Sequence, residues 1–495
     1  MAEDHETTRG FRLAGLAVLL VCLGWWSAGV AGSAPDRYGT LDLKPCSFDA
    51  VPGEIACGYH RVHEDRAAGA GRTLDLYIRY AHARGGAANP EPIFVLAGGP
   101  GQSAVELMTR PTLQYLWAEH DAVFIDVRGT GRSNPLHCPY LGDPASLQTY
   151  ADPPFVLERF TRCRDALSKK ADLTQYTTDR IVDDMDEVRQ ALGAGRIQIF
   201  AGSYGTRPAL HYVRKYGDHV RAAYIRGFSP PNAMAVARLA PDTDFFLDKL
   251  AADCAADAAC SQAHPDFRAN LDTVARAFAT GQVTVSLPNP DKGGALEQVV
   301  LNDGGFRSHV RYSLYYATQR NLLPAAIQAA AGGDYGPIAR AVIARGKISS
   351  RLVYSGAWAS VKCAEELPYV DRRAALDAAR GTFMGAMRVE QEFAICDIWP
   401  RGRVPDGFHA PVTADVQMLI VTGENDAASA PYLADFSARF LPNARFVLAR
   451  TQGHALAADR PCVEQVAADF YRRGTAQGLD VSCLYRIAPP PFVQG

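Results

Sequence analysis

Residues 200–206 read Phe200-Ala201-Gly202-Ser203-Tyr204-Gly205-Thr206, and the reading of this stretch decides the fold. The apolar run Ile197–Phe200 leads into it and a helical pattern follows. A serine on so sharp a strand-to-helix turn is pushed out above a sheet. The small residues Ala201, Gly202 and Gly205 let the backbone turn without clashes, so Ser203 is a candidate nucleophile. Taken alone, small-x-Ser-x-Gly also describes a plain structural turn. The rest of the chain has to decide between the two.

Working outward, Ile93–Leu96 runs into Ala97-Gly98-Gly99-Pro100-Gly101-Gln102-Ser103, a glycine-rich turn at the end of another strand. Acyl transfer needs backbone N–H groups aimed at a developing oxyanion. Tyr204, the residue after the serine, and Gly99 in this turn are the expected donors. A phosphate-binding loop is disfavoured, because neither GxxxxGK[ST] nor GxGxxG occurs here.

A serine hydroxyl also needs a base, and the base needs an acid to fix its tautomer. Gly423-Glu424-Asn425-Asp426 follows the strand Met418–Val421, and Gln452-Gly453-His454 follows Arg445–Leu448. Both fall at the carboxyl ends of strands, in the known chain order serine, acid, histidine. Asp426 and His454 are the expected acid and base. Glu424 competes with the first, and the other histidines among the chain's 12 with the second. Asp126-Val127-Arg128-Gly129-Thr130-Gly131-Arg132-Ser133 follows a third strand and reads as a turn tied down by Asp126 and Arg128, a structural role.

The strands Leu74–Tyr80, Ile93–Leu96, Val123–Ile125, Ile197–Phe200 and Ala222–Ile225 form a first block, and Met418–Val421 and Arg445–Leu448 a second. Most are nearly continuous in apolar residues, as buried parallel strands are. Ile181, Met185, Val188 and Leu192 recur at helical spacing before Gly193, and Val463–Tyr471 predicts a closing helix. This alternation predicts an α/β fold with an open, mostly parallel central sheet. Between the blocks the pattern turns mainly helical, with a polar interruption at Pro288–Gly294. The expected organisation is a signal peptide over 1–33, a core over 34–231, an inserted helical cap over 232–403, and the rest of the core over 404–495.

The chain has 495 residues, 48% of them hydrophobic, enough for a large core. A net charge of -2 and the absence of a basic stripe argue against nucleic-acid partners. Arg9 and Arg12 precede the apolar run Leu13–Trp26, and small residues follow, the order of a secretory signal. The alternative is an uncleaved anchor, and no other stretch is long and apolar enough to span a bilayer. Of 11 cysteines, Cys22 would leave with the signal. The other ten pair by proximity as Cys46/Cys57, Cys138/Cys163, Cys254/Cys260, Cys363/Cys396 and Cys462/Cys483, consistent with export. A metal site is disfavoured, since neither CxxC nor HExxH occurs.

Together AGGPGQSA, DVRGTGRS, AGSYGTR, GENDAASAP and GH, in this order, resemble the prolyl aminopeptidase and tripeptidyl aminopeptidase branch of the α/β-hydrolases. The likeness covers nearly all of the chain after the signal and includes a C-terminal segment ending near Cys483-Leu484. It implies hydrolysis of peptides or amides from a free N-terminus, no cofactor, and Ser203, Asp426 and His454 as the triad. Two departures stand out: Ala97 replaces a histidine before the Gly-Gly-Pro-Gly turn, and Ala455 replaces a common glycine after His454. Such exopeptidases hold the substrate ammonium with a buried carboxylate, for which Glu365 and its neighbour Glu366 are the candidates. A carboxylesterase with the same triad, or a secreted binding protein that kept the fold alone, are the competing readings.

Overall fold

The computed structural model describes residues 38–49, 51–85, 91–138, 142–153, 155–456 and 460–494. The export signal assigned to residues 1–33, with Cys22, lies outside them. Eleven strands run in chain order: β1 (Lys44–Cys46), β2 (Ile55–His63), β3 (Thr73–Ala81), β4 (Ile93–Leu96), β5 (Ala122–Ile125), β6 (Ile197–Gly202), β7 (Val220–Arg226), β8 (Val283–Asn289), β9 (Ala295–Leu301), β10 (Gln417–Gly423) and β11 (Ala444–Ala449). Nine of them make one sheet in the order β1-β2-β3-β5-β4-β6-β7-β10-β11. The pairs from β1 to β5 are antiparallel, and every pair from β5 to β11 is parallel.

Every residue of β4 and β5 is buried. Helices lie on both faces, so neither side of these strands meets water. One layer includes Thr178–Ala191, which buries Ile181, Met185 and Val188. The opposite layer includes Arg460–Arg473, which buries Val463, Val466, Phe470 and Tyr471. Burying each such side chain contributes about 1.5–3 kcal/mol, which is why the apolar runs were readable as strands. The strands β1 and β2 escape that reading. β2 carries Gly58, His60 and Arg61 and leaves much of one face open, yet it pairs with β3 along all nine of its residues.

Between β7 and β10 the chain forms a mainly helical insertion. Its longer helices are Ala235–Ala256, Phe267–Thr280, Asp303–Ser313, Gly336–Leu352, Ser355–Glu365 and Met387–Ile398. The polar interruption expected at Pro288–Gly294 is the tip of a hairpin, β8 with β9. Val283, Val285 and Leu287 carry the period-two signal of β8, and only one of its faces is covered.

Five disulfides join Cys46 to Cys57, Cys138 to Cys163, Cys254 to Cys260, Cys363 to Cys396, and Cys462 to Cys483. No described helix is long and apolar enough to cross a membrane.

The turn after β5 is a buried brace. Asp126 accepts hydrogen bonds from the Ser103 hydroxyl (2.5 Å) and the Arg132 and Val105 amides (3.0 and 3.2 Å). Arg128, fully buried, donates two bonds to Asp184 (2.7 and 2.8 Å) and others to the carbonyls of His63, Glu64 and Gln175. The loop therefore ties β2, β5 and the helix Thr178–Ala191 together.

Candidate active site

β6 ends at Gly202, and Ser203 opens a single 3-10 turn before the helix Thr206–Tyr216. The serine backbone sits at φ 57°, a left-handed conformation that costs an ordinary residue roughly 1–2 kcal/mol. Gly205 is required here, because a Cβ would lie 2.6 Å from the carbonyl oxygens of both Leu96 and Ala97. Gly202 is not required for the turn itself. A Cβ there would meet nothing within 4 Å, so this glycine leaves open space beside the serine. Across the turn, Gly98 packs so closely that a Cβ on it would sit 2.9 Å from the Ser203 Cβ.

Asp426 and His454 stand on neighbouring loops after β10 and β11. The Asp426 carboxylate is wholly buried and meets His454 Nδ1 at 3.0 Å through Oδ1 and 2.9 Å through Oδ2. The Ala428 and Ser429 amides also donate to Oδ1, at 2.9 and 2.8 Å. With the Nδ1 proton engaged by the acid, Nε2 is the ring nitrogen left to accept one. The backbone of His454 is anchored separately, its N–H donating to the Tyr315 carbonyl in the insertion at 2.7 Å. The rival acid Glu424 points elsewhere, accepting from the Thr451 amide at 2.9 Å.

Ser203, His454, Tyr204 and Gly99 all line one cavity of about 460 Å³ between the sheet rim and the insertion. The Tyr204 side chain turns inward, its hydroxyl 2.7 Å from that of Thr178.

The two acidic residues proposed for the substrate ammonium separate. Glu365 does not line the cavity, which corrects the expectation for it. Its carboxylate is buried against Thr178, accepting from the backbone amide at 2.6 Å and the hydroxyl at 2.8 Å, with Arg207 at 3.6 Å. Burial pushes its pKa up, against the pull of Arg207 and Thr178. Glu366 does face the cavity, but Lys362 Nζ lies 2.6 Å away and the Val236 amide donates to it at 2.8 Å. Glu392, a third cavity carboxylate not singled out from sequence, is held by Arg388 at 2.7 Å and Lys362 at 3.3 Å. Its pKa stays low, because the pull of Lys362 and Arg388 outweighs the upward push of burial.

The wall facing the serine comes from the insertion and includes His309, Arg311, Tyr312, Tyr315 and Arg345. None belongs to a short motif, so sequence reading passed them over. Burial, with Arg345 nearby, pushes His309 down to about 4, so it is neutral at pH 7.

The alpha/beta hydrolase fold family model matches residues 91–461. Tripeptidyl aminopeptidase of Streptomyces coelicolor is 28% identical over 224 residues, 41% of each chain. Serine protease Hip1 of Mycobacterium tuberculosis is 28% identical over 273 residues, 50% of this chain and 52% of the relative. The match therefore spans about half or less of these relatives' length. A solved proline iminopeptidase from Mycobacterium smegmatis aligns at TM-score 0.39 and 15% identity, over 84% of this chain and 98% of that one.

Proposed function

The chain belongs to the alpha/beta hydrolase fold family, and from that premise we propose that it is an exported serine hydrolase cleaving peptide or amide bonds near a free N-terminus. Ser203 attacks the scissile carbonyl while His454 Nε2 takes its proton. Asp426 holds the imidazole by Nδ1, and the Tyr204 and Gly99 amides receive the oxyanion. His454 then protonates the leaving amine, and water releases the acyl-enzyme. No metal or cofactor enters this sequence of steps. The insertion over 232–403 acts as a cap that closes the far side of the cavity.

One observation carries the reading: a serine forced to φ 57° shares a cavity with a histidine that a buried carboxylate grips at 2.9 Å. Such a pairing is needed for nucleophilic catalysis, and a turn without chemistry has no use for it. The peptidase preference rests on the names of the relatives, and export on the ten paired cysteines.

The esterase alternative has its own support. Among the described residues, the three carboxylates lining the cavity, Asp152, Glu366 and Glu392, already have cationic partners, so none of them is left free for an ammonium. The experiment pairs fluorophosphonate labelling with hydrolysis of aminoacyl and tripeptidyl arylamides and of short acyl esters, in wild type and Ser203→Ala. Labelling and arylamide cleavage, both lost in Ser203→Ala, are expected. Labelling with ester cleavage alone would favour the esterase, and an unlabelled wild type would end the hydrolase reading.

A further inference from the structure

The cavity wall is strongly positive. Eight Arg and Lys side chains face it against three carboxylates among the described residues. Arg159, Arg207, Lys362 and Arg388 have carboxylate partners, whereas among the described residues Arg110, Arg226, Arg311 and Arg345 have none, and the last two stand in the insertion. Arg311 is buried, with NH1 donating to the Thr243 hydroxyl and the Ala427 carbonyl, both at 3.3 Å, and among the described residues it has no carboxylate partner. Arg345 lies 4.0 Å over the Tyr312 ring, its buried Nε has no hydrogen-bond partner, and among the described residues it has no ion-pair partner. Removing a guanidinium from water without an anion is unfavourable, and a ligand anion would relieve it.

Tyr312 reports the local field. Burial alone would raise its phenol, yet Arg388, Arg345 and Arg311 together hold it below its ordinary value. The positive wall is also close to the chemistry. Tyr315 packs against His454 (ring centres 5.7 Å apart) and against Tyr312 (5.3 Å), so Arg345 lies within about 15 Å of the imidazole, the reach of roughly four extended residues.

We propose that Arg345 and Arg311, with Arg388 alongside Tyr312, form a subsite for a carboxylate of the substrate. Preferred substrates are then short peptides bearing an anionic group within about four residues of the cleaved bond. The carboxylate is either a free C-terminus or an acidic side chain. The subsite deepens the hydrolase reading, on which it relies for the position of the cleaved bond.

Three tetra-alanine probes separate the possibilities: one with a free C-terminal carboxylate, the same peptide as its C-terminal amide, and an amide whose last residue is glutamate. Binding of each to full-length Ser203→Ala is measured by calorimetry. At least one anionic peptide is expected to bind about ten- to hundredfold tighter than the neutral amide, the worth of a charge-assisted hydrogen bond. Which of the two gains identifies the source of the carboxylate. Arg345→Met in the same background is expected to remove the preference, and Arg345→Lys to keep part of it. Equal binding of all three peptides, no binding of any, or a preference that survives Arg345→Met would overturn the subsite. The first two of these need no arginine variant, so a misfolded one cannot hide the answer. Calorimetry reads binding without turnover, whereas failure of the hydrolase reading appears separately, as an unlabelled wild-type serine.

Discussion

Gly227 follows β7 and lies directly beneath the candidate base. Its φ is +59°, and a Cβ built on it would stand 2.7 Å from His454 Cε1, 2.9 Å from Nδ1 and 3.5 Å from Asp426 Oδ2. Favourable contact begins near 3.5 Å, so in Gly227→Ala the imidazole must retreat by roughly 0.8 Å. A misplacement of that order in a catalytic group costs roughly ten- to a hundredfold in rate. The same substitution puts alanine in a left-handed conformation, a loss of about 1–2 kcal/mol of stability. Gly193→Ala separates the two effects. Gly193 has φ +69° and nothing within 4 Å of its notional Cβ, so it carries the backbone strain without the collision. Steady-state hydrolysis of the best arylamide or ester and urea unfolding of both variants are the assays. Similar losses of stability are expected, with kcat/KM falling only in Gly227→Ala. A Gly227→Ala enzyme within twofold of wild type would refute the placement of His454 as base.

Other expectations concern the scaffold. Arg128→Leu leaves Asp184 short of a buried partner and strips three carbonyls, so chemical unfolding should show a loss of about 3–5 kcal/mol. His211, buried against Phe408, is pushed down to about 2, chiefly by burial. A histidine depressed in the folded state stabilises fully above its unfolded pKa of 6.5 and loses that contribution as pH falls. Between pH 7 and pH 5 wild type should therefore lose about 2 kcal/mol more than His211→Phe; parallel losses would contradict this. Replacing Cys363 and Cys396 by alanine opens a link across 33 residues and should lower stability by about 2–4 kcal/mol in thermal or denaturant unfolding. Glu365→Gln should affect unfolding more than KM, since its carboxylate serves Thr178; a selective rise in KM for free-amine substrates would return it to the cavity.

How much of this was legible in the sequence follows from what each element buries. The parallel strands announce themselves because helices cover both faces, and the candidate triad because its residues sit on short loops at strand ends. The hairpin β2–β3, next to the edge strand β1, is half hidden, since an exposed face tolerates His60 and Arg61 as readily as any loop does. Glu365 shows the limit of local reading. Two adjacent glutamates look equivalent along the chain, yet at a helix end their side chains leave in different directions, one into the protein and one into the cavity. The arginines and tyrosines that the insertion gives to the cavity wall are spread from residue 311 to residue 388, and only tertiary packing brings them together.

The carbonyl of Tyr315 that receives the His454 amide, with Gly453 pressed so near that a Cβ there would fall 2.5 Å from the same oxygen, has a practical consequence. The histidine loop is seated on the inserted helices rather than on the sheet alone. Trimming the chain to its two sheet-forming segments would keep all nine strands of the main sheet yet unseat the imidazole, so a minimal version of this protein has to retain the stretch around residue 315.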